Sequence, residues 1–478
     1  MKKLNVFLAS ALSTLALTAA EIEEVIVRQQ WPWSTDIKVE YALSGLEAGQ
    51  TVDLTVKAYD GGVELDASRL AQSIKGAVYG IAKGEEVGSF TIDPVKAFGT
   101  DKVALTDFSV KLSVADTPDS MNEVLYRVYD LDNGSVESIT RKALLNGEKG
   151  PIVTDYKTFG SDMVTPDELK NNLIIWTDVT NNPVYKTSKL VMRKIPAGGK
   201  VWQCGDPDDT ITKGGRLSKT AQKFVKLSQD YFVSVFEITQ AQYRKIYGSN
   251  PSSFTSDPDA EHHPVENVYF YNVAGNPNAT AGSSVSGVLT GEPICWPTNS
   301  ILHDVGKGTF LAKLRSKTNV EFDLPTSAQW EYACGARSST PIYSGSAQSE
   351  DAVASLAWYN NNAGSKTHAV GLKVPNGFGL YDMLGNVVEY TYNSGATYDG
   401  ASAGDGGENT PYVDPVGRYD TSTGATYRQV RGGAWSDAPG YWMDLRTASV
   451  CAFYLWTKRE TFIGFRVVCP VEAQWPRN

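Results

Sequence analysis

The chain has 478 residues, 41% of them hydrophobic and 21% charged, with a net charge of −10. The length implies two or three domains, and the composition is that of an ordinary globular protein, which excludes extended disorder and collagen-like sequence. With 44 Lys+Arg against 54 Asp+Glu, the balance argues against a nucleic-acid partner, because phosphate binding needs a basic footprint.

The first twenty residues have the three parts of an export signal. Lys2 and Lys3 are the positive region, Leu4 to Leu17 the apolar stretch, and Thr18-Ala19-Ala20 the cleavage site before Glu21. That apolar run is too short for a good membrane span, and no later segment reads as transmembrane. The expected mature protein starts near Glu21, is exported to the periplasm or the medium, and does not insert into a membrane. Disulfides persist in such a compartment. The five cysteines, Cys204, Cys295, Cys334, Cys451 and Cys469, all lie beyond residue 200. Their odd number leaves at least one free or paired with another chain.

Residues 21–116 read as an all-β domain. Ile37, Val39, Tyr41 and Leu43 alternate with polar residues, as do Val52, Leu54, Val56 and Ala58, and later Phe108, Val110, Leu112 and Val114. Period-two alternation means strands with one face buried and one wet. With turn signals such as Asp60-Gly61-Gly62, it predicts an antiparallel sandwich of immunoglobulin or fibronectin type. Residues 117–188 read as a connector, with a strand over Val124 to Leu131. From Lys189 the strands shorten, and Trp, Gly and Asn become frequent. Two capping boxes, Thr239-Gln240-Ala241-Gln242 and Thr326-Ser327-Ala328-Gln329, predict helices over Gln240–Tyr247 and Ser327–Cys334.

Five segments of this C-terminal part occur in a telling order. They are Tyr231 to Tyr243; His263-Pro264-Val265-Glu266-Asn267-Val268; Phe322 to Cys334; Pro375 to Tyr390; and Arg431-Gly432-Gly433-Ala434-Trp435 with Gly464-Phe465-Arg466-Val467-Val468. Together they resemble the formylglycine-generating-enzyme (sulfatase-modifying factor) family over residues 189–470, leaving 471–478 as a tail. The resemblance implies an α+β, C-type-lectin-like topology with little regular structure. Read physically, the motifs are mostly scaffold: Trp330 and Trp435 need a core, Gly432 and Gly433 permit backbone that other residues cannot adopt, and Glu331 with Arg466 is the expected buried ion pair.

Copper-dependent members of that family hold Cu(I) between two cysteines placed after an Arg-Gly-Gly-Ser motif, because soft thiolates suit that ion. The matching positions here are Asp437 and Trp442, and the serine position is Ala434. None keeps the functional residue, so no catalytic residue is assigned and copper is not expected. The family's iron-dependent relatives use three histidines on an added helical domain. The only histidines here, His262, His263, His303 and His368, lack that spacing, so iron is not expected either. Calcium is implied by the loop Asp382 to Glu389, with side-chain oxygens from Asp382 and Glu389 and carbonyl oxygens from Gly385 and Val387, the hard donors that ion prefers. A disulfide between Cys334 and Cys469 is implied as well.

These readings make the chain an exported, noncatalytic binding protein for a protein or glycan ligand. The resemblance implies a recognition surface in Ser436 to Thr461, the segment that ligand-binding proteins of this fold vary, and Tyr441, Trp442 and Trp456 are its expected anchors, aromatics being frequent binding residues. The alternative is an oxidoreductase of the sulfatase-maturation type, or a nonheme-iron relative, with an altered site.

Overall fold

The computed structural model describes residues 20–30, 34–100, 103–153, 174–205, 222–275, 305–338, 340–344, 349–393, 405–415, 427–437, 445–455 and 457–471. Residues 1–19 of the expected export signal (1–20), most of the tail and the proposed anchors Tyr441, Trp442 and Trp456 lie outside them, as do Cys295 and His303. The chain divides into two compact units. One comprises the sequence up to Val124 and a return segment beginning at Ile139, and the other comprises Leu125–Ser138 and the chain beyond the return segment.

The first unit contains β1 (Glu21–Gln29), β2 (Ile37–Ser44), β3 (Thr51–Asp60), α1 (Ala67–Ser73), β4 (Ile74–Gly76), β5 (Val87–Ile92), α2 (Pro94–Phe98) and β6 (Ser109–Asp116). One antiparallel sheet runs in the order β1-β2-β5-β4, and β3 pairs with β6 in another. Alternation works as the sequence requires. Ile37, Val39, Tyr41 and Leu43 from the first sheet and Val52, Leu54 and Ala58 from the second are buried in one apolar cluster. The two short helices were not expected. The second is set by local chemistry: Asp93 accepts the Val95 and Lys96 N–H groups, Pro94 opens the helix, and Gly99 closes it in the left-handed conformation.

The second unit begins inside the stretch read as a connector. Strand β7 (Val124–Asp130) pairs antiparallel with β8 (Lys189–Ile195), which pairs with β9 (Tyr231–Ser234). Then follow α3 (Gln240–Tyr247), α4 (Phe310–Thr318), α5 (Ser327–Gly335), α6 (Glu350–Leu356), β10 (Val388–Tyr390), β11 (Tyr427–Arg431), β12 (Val450–Leu455), β13 (Ile463–Gly464) and β14 (Val468–Pro470). β14 returns to pair with β9, while β12-β11-β10-β13 form a second small sheet. Both capping boxes are formed, with each threonine hydroxyl on the third-residue N–H and each glutamine reaching back to the threonine N–H. The sequence reading missed α4 and α6. Their signals were Thr309 and Ser349, whose hydroxyls accept the Ala312 and Ala352 N–H groups.

The expected Cys334–Cys469 link is not made. Both thiols are buried and free, and so is Cys204. The reason is the pleat of β14. Val468 packs in the same cluster as Cys334, together with its cross-strand partner Val233. Cys469 therefore faces the other side of the sheet, where its Sγ lies 3.9 Å from Tyr129 Oη. Cys334 Sγ is 3.9 Å from the Met383 carbonyl instead. Alkylation of the denatured, unreduced protein should label Cys334 and Cys469, read by peptide mass spectrometry; a Cys334–Cys469 disulfide peptide is the contrary result.

Candidate functional site

The centre of the second unit is a buried chain of charges strung along Trp330. Arg466 Nε reaches both Glu389 oxygens at 2.7 and 2.9 Å, with the two side chains 0% and 1% exposed. Trp330 Nε1 donates to the same carboxylate at 2.7 Å. The remaining guanidinium nitrogens of Arg466 donate to the Ser234 and Tyr381 carbonyls, both at 3.0 Å. Arg431 lies over the Trp330 ring, 5.8 Å from its centroid, and pairs with Glu331 at 2.9 Å. The expected pair was Glu331 with Arg466; the structure re-sorts it into Glu331–Arg431 and Glu389–Arg466. Strand β10 is responsible, because it carries Glu389 in register opposite Arg431 and alongside Gly464, two residues before Arg466.

The loop from Asp382 to Glu389 is tightly held. Asp382 and Asn386 both have left-handed backbone, at φ 54° and 61°. Gly385 is obligatory: a Cβ there would lie 2.4 Å from the Trp358 carbonyl, and its φ is 80°. Asn386 spans the loop by accepting the His368 N–H and donating to Glu237 at 2.8 Å. This arrangement does not fit the calcium set expected of Asp382, Gly385, Val387 and Glu389. Both oxygens of Glu389 already accept from the Arg466 guanidinium, and one also accepts from the Trp330 indole, so a dication beside them would meet a fixed cation. Asp382 uses one oxygen on the Gly371 N–H at 2.7 Å, and its other oxygen is buried without a hydrogen-bond partner.

The turn after β11 holds Asp437, the residue expected at the first of the two thiolate positions. Asp437 Oδ2 accepts the Ala434 N–H at 2.7 Å, and the Asp437 N–H returns to the Ala434 carbonyl at 3.1 Å. The carboxylate thus closes a four-residue turn. Trp435 is anchored next to it, donating from Nε1 to the Thr461 carbonyl at 3.1 Å and packing edge-on against Phe254. The second position, Trp442, lies outside the described residues, as do Tyr441 and Trp456.

Three acids here ionise with difficulty. Glu237 is held well above the usual carboxylate range by burial and then by Asp382 and Glu389 nearby. Burial raises Asp382 to about 6. Burial likewise raises Glu266 to about 7, although it accepts the Ser253 and Phe254 N–H groups; its Oε2 has no hydrogen-bond partner. Sequence reasoning missed Glu237 and Glu266, since nothing in their spacing distinguishes them from surface acids. Among the described residues, no helix is long and apolar enough to cross a membrane.

This is a mixed helix-and-sheet domain with long loops, built around a charged core and short strands. The chain belongs to the sulfatase-modifying factor enzyme 1-like domain family, which matches residues 182–471. It is 32% identical over 211 residues to the chaperone protein LppX of Paenibacillus barcinonensis, covering 39% of this chain and 71% of that protein. Among solved structures it is similar to Treponema denticola variable protein 1, at 23% identity and a TM-score of 0.42, covering 59% of this chain and 95% of that one. It is also similar to PvdO from Pseudomonas aeruginosa, at 23% identity and a TM-score of 0.38, covering 59% and 94%.

Removing one member of the central pair strands a buried charge. Glu389→Ala or Arg466→Met should each cost about 3–5 kcal/mol by urea denaturation. A cost below about 1 kcal/mol would contradict the buried pair. Glu266 gives a separate prediction. Its folded carboxyl keeps a proton up to about pH 7, whereas an unfolded one releases it near pH 4.3. The folded chain binds more protons in between, so this group lowers stability as pH rises from about 4 through 7. Glu266→Gln should match the wild type at pH 4 and exceed it by up to about 3 kcal/mol at pH 8.

Proposed function

We propose that this is an exported, noncatalytic recognition protein, in which the family's frame presents loops to a protein or glycan ligand. The observation that carries the reading is the turn at Ala434–Asp437. The carboxylate standing where copper-dependent members have a thiolate is used on the Ala434 N–H. A hard oxygen is a poor partner for Cu(I) in any case, and the second position is a tryptophan. Loops carried on a rigid scaffold suit recognition, and the segment from Ser436 to Thr461, with Tyr441, Trp442 and Trp456, offers the aromatic anchors. The name of the curated relative, a chaperone, favours a protein ligand over a glycan.

The first unit is read as an immunoglobulin-like spacer or adhesion module. In its support, the order β1-β2-β5-β4, with β3 and β6 in the other sheet, corresponds to the A-B-E-D and C-F strands of a constant-type domain. Export is supported by the charged, apolar and small-residue parts of residues 1–20.

The test is chemical. Purified protein incubated with a Cys-x-Pro-x-Arg peptide, with and without copper, should leave the cysteine mass unchanged. Conversion of that thiol to an aldehyde would establish the oxidase reading in place of this one.

A further inference from the structure

The loop between α3 and the His263-Pro264 segment brings together three donor side chains that none of the preceding sites uses. Asp257, Asp259 and His263 each offer one ligand atom, and the three atoms lie within 4.8 Å of one another. His263 Nε2 stands 3.2 Å from Asp259 Oδ1 and 3.9 Å from Asp257 Oδ2. The imidazole is 2% exposed, Asp257 29% and Asp259 54%, so the ring forms a floor and the carboxylates a solvent-facing rim. The backbone fixes this set. A 3₁₀ turn over Ala260–His262 is closed by His262 N–H to the Asp259 carbonyl, at 2.8 Å, and by His263 N–H to the Ala260 carbonyl, at 3.0 Å. The Gln240 N–H, at the start of α3, holds the His263 carbonyl at 2.9 Å.

The second nitrogen of the ring is also engaged: Nδ1 lies 3.2 Å from Thr367 Oγ1. An imidazole that ligates a metal characteristically has such an outer partner, which fixes its tautomer. With the proton on Nδ1 and donated to Thr367, Nε2 presents a bare lone pair to two carboxylate oxygens. That arrangement is repulsive unless a cation sits among the three. With the proton on Nε2, the ring donates to Asp259 and accepts from the Thr367 hydroxyl. The two forms differ by one ring proton and one hydroxyl rotation, so no side chain of the floor has to move.

We propose that Asp257, Asp259 and His263 bind a divalent transition-metal ion of the zinc class. One imidazole with two carboxylates suits zinc, and the nitrogen ligand disfavours magnesium and calcium. Three protein donors on an open rim leave at least one position for water or a group of a bound partner. Among the described residues, the other charged or titratable groups acting on the cluster are Lys366 and His368 on the Asp257 and His263 side, and Lys186 and His262 on the Asp259 side. Lys366 Nζ lies 2.7 Å from Asp257 Oδ2, in competition with a metal. His368 has its ring centroid 6.4 Å from that of His263, but its Nε2 is turned to the Ala363 carbonyl at 2.8 Å, so it is not a ligand. Burial lowers the His263 pKa, which keeps the ring in the neutral form a ligand requires.

The experiment uses the full mature chain stripped with a chelator and titrated with Zn²⁺ by calorimetry, and with Co²⁺ by visible absorption. The expected result is one equivalent of Zn²⁺ bound, cobalt d–d bands, and weaker binding at pH 5 than at pH 7. Asp259→Asn, at an exposed position that leaves the fold intact by circular dichroism, should weaken binding at least tenfold. Lys366→Met should strengthen it severalfold by freeing Asp257. Absence of heat and bands in both the wild type and Lys366→Met would overturn the site, as would unchanged affinity in Asp259→Asn. A Lys366→Met affinity no higher than wild type would remove Asp257 from the set, and the three-ligand site with it.

Discussion

The second unit depends on one buried contact, the Arg466 guanidinium against the Glu389 carboxylate. Its two partners come from strand β10 and from the segment leading into β14. Their remaining hydrogen bonds reach β9 through Ser234, the 375–390 segment through Tyr381, and α5 through Trp330. Such a pair adds little net stability over a well-packed apolar substitute, because both ions must leave water. It is costly to break, and it has directional demands an apolar contact lacks. Elements joined by short strands and long loops need those demands to find one arrangement. Trp330 extends the network, its indole N–H on Glu389 and its ring under Arg431, which in turn holds Glu331.

The same contact acts on the buried acids around it. Glu237, Asp382 and Glu389 are all buried, and each of the three is among the charges that act on Arg466. Burial holds Glu237 and Asp382 towards their protonated forms, and the attraction of Arg466, which is bound to Glu389, offsets this only in part. Glu237 compensates in part by gathering the Asn386 amide and the Val387 N–H, which pins the loop beneath it.

Local features were legible in the sequence, and long-range choices were not. The capping boxes at Thr239 and Thr326 place two helix starts because everything they need lies within four residues. Alternation in β2 and β3 assigns their buried faces for the same reason. Glu331 sits beside Trp330 in sequence, yet its ionic partner depends on where β11 falls in space, so the pairing with Arg466 was misassigned. The resemblance implied a Cys334–Cys469 link, but the cluster shared by Cys334 and Val468 shows that the residue adjacent to Cys469 is the one that faces the helix. In the 257–263 loop the sequence shows His263 only as one of four histidines without an iron-type spacing, and it joins Asp257 and Asp259 through a turn that only the backbone reveals. The family resemblance located the Arg-Gly-Gly-Ala turn, and the structure added what Asp437 does there.

The chain crosses between the two units more than once before settling: Leu125–Ser138 belongs with the second, and the segment from Ile139 returns to the first. Strand β7, the neighbour of β8 through the register Arg193↔Tyr126 to Lys189↔Asp130, thus lies upstream of the family's matched residues. A gene fragment beginning at residue 182 would encode a sheet with that side of β8 unpaired, and bare strand edges invite pairing with other chains. In evolutionary terms the domain is therefore not a free cassette. Recombination that moves it intact must carry the stretch from Leu125 as well, and with it the loop of sequence that belongs to its neighbour.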